Sequence, residues 1–295
     1  MSDLLDMMEE LEGNSAKPNK DHFLRAPFGY PGGKTKSVRY IIEHLPQRGI
    51  YVEPFGGSAA VMLARNPSKL EVFNDRYAGV VAFYRVMRDE KKTRAFIDWM
   101  DLNVHSREEW VLCRDTWETV DDDVERAARW YYMTVYSFSQ IGRNFGRATS
   151  VRGRMAGKIR NKLELFAKIH ERFQYVQVEN LDWQECVYDY DDKDAVFYMD
   201  PPYIDASAGA HKHTMSQDDH RQLLDTIFHI KGFVALSGYS NPLYEDREWD
   251  KRFSWDSFVS LQSLAYTEGN KKDHLEGHEE RKHAEEVLWI KEARP

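Results

Sequence analysis

The sequence predicts an α/β domain with a mostly parallel sheet, interrupted by a mainly helical insertion. Short apolar runs that end in Gly, Asp or Pro occur in both halves of the chain, for example Ile50–Val52 and Val196–Met199. A buried parallel strand reads as such a continuous apolar run. Between the two halves, from about residue 76 to 172, apolar residues recur at helical spacing instead.

Composition and charge narrow the class of protein. The chain has 295 residues and a net charge of -8, which argues against indiscriminate nucleic-acid binding but leaves local basic patches open. Cys113 and Cys186 lie far apart without CxxC spacing, which suggests a reducing compartment and no structural zinc. Because no segment resembles a membrane span and the amino terminus is acidic, we expect a soluble cytoplasmic protein.

The pattern predicts three parts. Residues 1–22 read as a flexible acidic tail, and residues 76–172 read as the helical insertion. Residues 23–75 and 173–295 together form the α/β domain, with later strands expected at 173–178, 233–237 and 286–290.

A glycine-rich turn follows the first strand. Gly56 and Gly57 stand between the apolar run and a helix of small residues, the context in which such a turn holds a nucleotide or nucleoside. The turn is not GxGxxG and no Lys-Ser/Thr pair follows, which argues against a phosphate-gripping loop. Asp75 matches the spacing of an acid that binds ribose hydroxyls, although a helix N-cap is an alternative. Together these features favour a ligand with a ribose and no pyrophosphate.

The segment Val196–Tyr203 ends in Asp200, Pro201, Pro202 and Tyr203. Ligands in open α/β sheets bind outside the carboxyl ends of strands, where this turn is expected. Since proline lacks an N–H and has fixed φ, the Pro201 carbonyl is rigid and free to accept a hydrogen bond. A carboxylate, a carbonyl and a ring face could hold a flat group with an amine. A strand ending in a Pro-Pro turn with an incidental Asp is the alternative.

Residues 142–162 contain seven Lys or Arg and no Asp or Glu, inside an acidic chain. Such segregation favours binding of nucleic-acid phosphates, and Arg also reads guanine edges; a solvated basic loop is the alternative. Asp182 and Trp183 could hold an adenine, or could be a helix N-cap and a buried ring. The small, polar residues 204–214 read as a lid. His211 and His213 have no third ligand at suitable spacing, so we expect no metal.

Several segments, in order, resemble the Dam-like DNA adenine methyltransferases. They are Tyr30-Pro31-Gly32-Gly33-Lys34, Glu53-Pro54-Phe55-Gly56-Gly57-Ser58, the basic insertion and Asp200-Pro201-Pro202-Tyr203. The similarity extends from about residue 28 to 290. It implies a Rossmann-like methyltransferase fold, with a mixed, mostly parallel seven-stranded sheet flanked by helices and an inserted helical DNA-recognition domain. It also implies S-adenosylmethionine as methyl donor, S-adenosylhomocysteine as product, no metal, and double-stranded DNA as partner.

The resemblance implies a role for each matching residue. The residues implied to bind the cofactor are Tyr30, Lys34, Phe55, Gly56, Gly57, Ser58, Asp75, Asp182 and Trp183. Those implied to take the target base are Asp200, Pro201, Pro202 and Tyr203. The candidate DNA contacts are Arg143, Asn144, Arg147, Arg152, Arg154, Lys158 and Arg160.

Two positions depart from the family pattern. Ala59 stands where many relatives carry glycine, and a small residue should be tolerated there unless φ is positive. Arg143 falls near a guanine-reading arginine, but its surroundings (Ser139, Gln140, Asn144 and Phe145) differ from the family pattern. The GATC target of the Dam enzymes therefore does not carry over.

The chemistry of the turn agrees with the resemblance. Asp200 and the Pro201 carbonyl could accept both N–H bonds of an adenine amine and turn its lone pair toward a sulfonium methyl, without a covalent intermediate. A base in a duplex must be flipped out to reach such a site. The alternatives are a catalytically idle DNA-binding relative, and an enzyme acting on RNA adenine, cytosine or a glutamine amide. A cognate restriction endonuclease is left open as a partner.

Overall fold

A computed structural model describes residues 23–140, 142–147, 159, 162–204, 214–258 and 283–294. In these residues, seven strands form one sheet in the order β3-β2-β1-β4-β5-β7-β6. The strands are β1 (Ile50–Glu53), β2 (Leu70–Asn74), β3 (Gln177–Glu179), β4 (Ala195–Met199), β5 (Phe233–Tyr239), β6 (Lys251–Phe258) and β7 (His283–Lys291). The mixed, mostly parallel seven-stranded sheet of a Rossmann-like methyltransferase fold is thus confirmed.

The sheet reverses its strand order beside β1. Strands β1 to β5 are mutually parallel, whereas β7 lies antiparallel between β5 and β6. Every residue of β4 is buried, as its apolar sequence predicts for a central parallel strand. Because β1 and β4 are neighbours at the point where the order reverses, their carboxyl ends form the crevice in which such sheets bind ligands.

Helices cover both faces of the sheet. They are α1 (Val38–Ile42), α2 (Ala60–Ala64), α3 (Ala78–Met87), α4 (Glu90–Leu102), α5 (Arg107–Thr116), α6 (Asp123–Val135), α7 (Leu163–Phe173), α8 (Trp183–Asp189), α9 (Gln217–His229) and α10 (Pro242–Glu245). Helices α3 to α7 share one apolar cluster with Tyr51 and Phe73 of the sheet. Helices α8 and α9 pack on the other face, against Val52 and Phe197. None of the helices in the described ranges is long and apolar enough to cross a membrane.

The structure corrects the start of the third strand. The expected strand at 173–178 was wrong at its beginning, since Phe173 is the last residue of α7 and β3 begins at Gln177. The Phe173 ring stacks on Tyr84 of α3 with their centroids 4.4 Å apart, which holds it in the helical layer. Sequence patterns also missed α5 and β6. The division into 1–22, 23–75 with 173–295, and 76–172 stays a prediction, and the tail lies outside the described residues.

Candidate active site

Asp200 follows directly on β4 and is held by the neighbouring strand. Ser237 of β5 donates a hydrogen bond from Oγ to Asp200 Oδ1 over 2.9 Å. The same hydroxyl lies 3.1 Å from the hydroxyl of Tyr198, inside the sheet. Because β4 and β5 are paired in parallel, these contacts are fixed by strand register, with Met199 opposite Leu236. The carboxylate is therefore pre-oriented at the carboxyl edge of the sheet.

Lys34 reaches the same carboxylate from the amino-terminal glycine loop. Its Nζ lies 2.7 Å from both oxygens of Asp200, and it donates to the carbonyl of Gly32 over 2.7 Å. Glycine at position 32 has φ 71°, in the left-handed region, so this turn of the loop requires glycine. Only 4% of Lys34 is exposed, so its ammonium depends on these oxygens in place of water.

Tyr203 and Glu286 complete the cluster of charged and aromatic groups. The Tyr203 hydroxyl donates to Glu286 Oε1 over 3.0 Å, and Lys34 Nζ lies 3.5 Å from the same oxygen. The Lys34 ammonium also lies 4.9 Å from the centroid of the Tyr203 ring, and Tyr239 packs edge-on against that ring. Burial, followed by the charges of Asp200 and Glu286, raises the pKa of Tyr203 well above its usual value.

The turn after β1 is tightly built. A side chain at Gly56 would have its Cβ 2.1 Å from Cε2 of Phe73, and at Gly57, where φ is 51°, it would approach the Tyr30 ring at 3.0 Å. Ala59 has φ 54°, in the left-handed region, so an alanine at this position is strained. The Ser58 carbonyl accepts a hydrogen bond from the Tyr84 hydroxyl over 2.7 Å. The backbone of this turn is thus fixed by buried aromatic rings.

Asp75, the candidate ribose acid, is buried beside this turn. Its Oδ2 accepts from the Gly57 N–H over 2.8 Å and its Oδ1 from the Tyr77 N–H over 2.7 Å. Burial raises the pKa of Asp75 to about 6, against the lowering effect of the two backbone donors. The N-cap of α3 is Tyr77, so Asp75 is not the helix cap considered as its alternative. Asp75 therefore holds the glycine turn through both of its oxygens.

Tyr30 lies near the carboxylates of Asp75, which is buried, and Asp200, which is partly buried. Burial, and then the charges of Asp75 and Asp200, raise the pKa of its hydroxyl well above the usual value. The ring of Tyr30 lies beside Gly57, where an added Cβ would approach it at 3.0 Å. The structure thus brings Tyr30 and the glycine turn together, close enough to Asp200 for its charge to act on the Tyr30 hydroxyl.

Asp182 and Trp183 start α8 at the end of β3. Asp182 is the N-cap of that helix and accepts from the Gln184 N–H over 3.0 Å. The helix-cap alternative for Asp182 is thus present in the structure. Its carboxylate is half-exposed and lies 3.6 Å from Arg76. The Trp183 ring stacks on Phe55 with the centroids 6.0 Å apart. The two rings form an apolar wall beside the glycine turn.

The basic segment begins in a short hairpin after α6. The Phe138 N–H donates to the Asn144 carbonyl over 2.7 Å, and the Gly146 N–H to the Tyr136 carbonyl over 2.7 Å. Arg143, Asn144 and Arg147 are exposed on it. Gln140 accepts the Gly29 N–H over 2.8 Å, which ties the hairpin to the amino-terminal loop. The candidates Arg152, Arg154, Lys158 and Arg160 lie outside the described residues.

Sequence patterns missed two residues that touch the predicted site, Ser237 and Glu286. Each lies in a strand that the patterns did predict, and a polar residue in an apolar run was the available signal. Of the predicted lid at 204–214, residues 205–213, which include His211 and His213, lie outside the described residues. Among the described residues, no group of three His, Cys, Asp or Glu side chains is arranged to hold a metal ion.

Comparisons with known proteins agree with this geometry. Residues 30–264 match the family model of the D12 class N6 adenine-specific DNA methyltransferases. The DNA adenine methylases of Salmonella typhi and Salmonella typhimurium are each 25% identical over 240 residues, covering 76% of this chain and 84% of theirs. The matched region contains the glycine turn, the basic hairpin and the Asp200 turn. The chain belongs to the D12 class of N6 adenine-specific DNA methyltransferases.

Proposed function

We propose that the chain transfers a methyl group from S-adenosylmethionine directly to N6 of an adenine flipped out of double-stranded DNA. The observation that carries this proposal is the carboxylate of Asp200, oriented by Ser237 and Lys34 at the sheet edge that also holds the Gly56–Gly57 turn. Family membership supplies the class of reaction and implies the methyl donor.

Asp200 and the Pro201 carbonyl accept the two N–H bonds of the target amine. The lone pair of N6 is delocalised into the ring, and these two acceptors favour the pyramidal nitrogen in which the lone pair can attack. Such preorganised partners act on the charge that develops in the transition state. Pro202 fixes the turn, and the ring of Tyr203 stacks on the base. S-adenosylmethionine, when bound, would supply the methyl group from its sulfonium, with S-adenosylhomocysteine and the proton lost from N6 as the other products.

The cofactor lies along the turn after β1 in this proposal. Gly56, Gly57 and Ser58 hold its methionine part, and Asp75 accepts from the ribose hydroxyls with its remaining lone pairs. Phe55 and Trp183 support the adenine ring, and Asp182 takes its amine. Tyr30 and Lys34 would contact the cofactor, Tyr30 from a position where its hydroxyl feels the charges of Asp75 and Asp200. Burial of Asp75 and the tight packing of the glycine turn against Phe73 and Tyr30, which fixes its backbone, support this arrangement.

The DNA contacts belong to the basic segment. Arg143, Asn144 and Arg147 are exposed on the hairpin and are free to approach phosphates or base edges. We extend the contact surface to Arg152, Arg154, Lys158 and Arg160 on sequence alone. The helical insertion at 76–172 then serves as the DNA-recognition domain. DNA as substrate places the enzyme in the cytoplasm of a bacterial host.

A methyl-transfer assay with labelled S-adenosylmethionine tests the proposal. Duplex DNA and RNA compete in one reaction, and we expect label in DNA adenine only. Asp200→Asn should lower transfer about a hundredfold or more, because one acceptor of the amine becomes a donor. DNA affinity should stay within about threefold, since the hairpin is untouched. Asp98→Asn, exposed on α4, is the matched control and should transfer normally. Label in RNA or cytosine, or full activity of Asp200→Asn, would refute the proposal.

A further inference from the structure

Glu286 is a buried acid beside the proposed target site, and the proposed reaction gives it no role. It lies in β7, opposite Tyr239 of β5, and is 6% exposed. Its Oε1 accepts from the Tyr203 hydroxyl over 3.0 Å and lies 3.5 Å from Lys34 Nζ. Lys34 therefore stands between two carboxylates, close to Asp200 at 2.7 Å and farther from Glu286.

The close contact occupies an oxygen that a target amine would use. Both oxygens of Asp200 lie 2.7 Å from the Lys34 ammonium, and Oδ1 also accepts from Ser237. An amine that donates to this carboxylate would share Oδ2 with Lys34, because Lys34 and Ser237 already occupy Oδ1. A buried ammonium whose contact with a carboxylate is weakened is stabilised by a second charged acceptor, besides the Gly32 carbonyl that it already contacts. Glu286 is the nearest second carboxylate to it among the described residues.

We propose that Glu286 is a positioning residue that takes the Lys34 ammonium when the target amine binds Asp200. The exchange is short, because the ammonium already lies 3.5 Å from Glu286 Oε1. The Tyr203 hydroxyl donates to the same oxygen of Glu286, so the ring proposed to stack on the base is held by the acid that receives Lys34. The inference rests on the proposed function, since it assigns the amine to Asp200.

The exchange leaves the total charge of the site unchanged, because Lys34, Asp200 and Glu286 all stay in it. It moves the ammonium from one carboxylate to the other and so frees Asp200 to accept the amine. No covalent bond to Glu286 forms or breaks.

Glu286→Gln removes the charge and keeps an oxygen for the Tyr203 hydroxyl. Lys34 should then stay on Asp200, so we expect the single-turnover rate of methyl transfer to fall about tenfold or more. The KM for S-adenosylmethionine and the thermal midpoint should change little, because shape and packing are kept. Tyr203→Phe is the matched control, since it removes the hydroxyl bond and leaves the charge of Glu286. It should retain more activity than Glu286→Gln.

A double-mutant cycle with Lys34→Met gives the decisive readout. If Glu286 acts through the Lys34 ammonium, Glu286→Gln should have little further effect once that ammonium is gone. Equal losses from Glu286→Gln in both backgrounds, or a wild-type rate in Glu286→Gln, would overturn the role of Glu286 while DNA methylation by the wild-type chain stands. Failure of the wild-type chain to methylate DNA would overturn this role together with the proposed function.

Discussion

Gly56→Ala tests whether the turn after β1 is shaped by the ring beneath it. The added Cβ would lie 2.1, 2.5 and 2.6 Å from three atoms of the Phe73 ring. Phe73 is fully buried and packs against Tyr84 at 4.6 Å and Phe173 at 5.8 Å between centroids, so its ring has no space to retreat into. The Gly56 N–H bond to the Asn74 carbonyl, at 2.7 Å, also holds the backbone in place.

The expected cost follows from this overlap. Forcing an extra methyl group into a well-packed core costs about 1–3 kcal/mol, and the short distances here point to the upper end. In a Phe73→Leu background the two closest ring atoms are absent, so Gly56→Ala should cost less than about 1 kcal/mol. The coupling free energy between the two positions should therefore be about 2 kcal/mol.

Urea unfolding of the four proteins in this cycle gives that coupling energy directly. Gly49→Ala is the control, because its Cβ would meet only the carboxylate end of Asp194, which can rotate away. It should cost less than about 1 kcal/mol. A neutral Gly56→Ala, or a cost that is the same in the wild-type and Phe73→Leu backgrounds, would refute the reasoning.

Three further predictions test other features of the same fold. Ala59→Gly should keep the free energy of unfolding within about 0.5 kcal/mol of the wild type, because relief of the left-handed φ offsets the lost methyl group and the added chain entropy. Ala60→Gly, inside α2, is the comparison and should lower the free energy of unfolding by about 1 kcal/mol in the same denaturation assay. Burial raises the pKa of Glu53 to about 8, so the unfolded chain releases this proton first and stability falls as pH rises from the ordinary pKa to about 8. Glu53→Gln has no carboxyl group to titrate, so its free energy of unfolding should not fall in this way. Urea unfolding across this pH range should show the stability of the variant rising relative to the wild type by a few kcal/mol. The same pH dependence in both proteins would contradict this. Tyr244→Phe removes the hydroxyl 2.6 Å from Nδ1 of buried His220, and a thermal melt should show a loss of about 1–2 kcal/mol, with an unchanged midpoint as the contrary result.

Local patterns predicted the parts of the site that lie next to one another in the chain. The apolar run into Asp200, and the strand followed by Gly56 and Gly57, carry their structural meaning within a few residues. Parallel strands then bring their carboxyl ends to one edge, so the fold class placed these segments together. The roles of the site residues remain proposals.

The contacts of Glu286 and Ser237 depend on strand order. Glu286 meets Tyr203 and Lys34 because β7 lies antiparallel between β5 and β6, an order that no local pattern specifies. The positive φ of Ala59 was equally hidden, since alanine is not typical of that conformation. Strand β6 contains no continuous apolar run like those of the buried strands; its Phe253 and Trp255 alternate with charged and polar residues, the period-two pattern of a half-buried strand at the edge of the sheet.

Single-molecule sequencing of DNA from cells that express the chain tests adenine methylation most directly. Wild-type protein should leave N6-methyladenine at one recurring sequence, and that sequence identifies the site read by the basic hairpin. Cells expressing Asp200→Asn should carry no such marks. Unmodified adenine in wild-type DNA, modification of cytosine instead, or marks that persist with Asp200→Asn would contradict adenine methylation at the Asp200 turn.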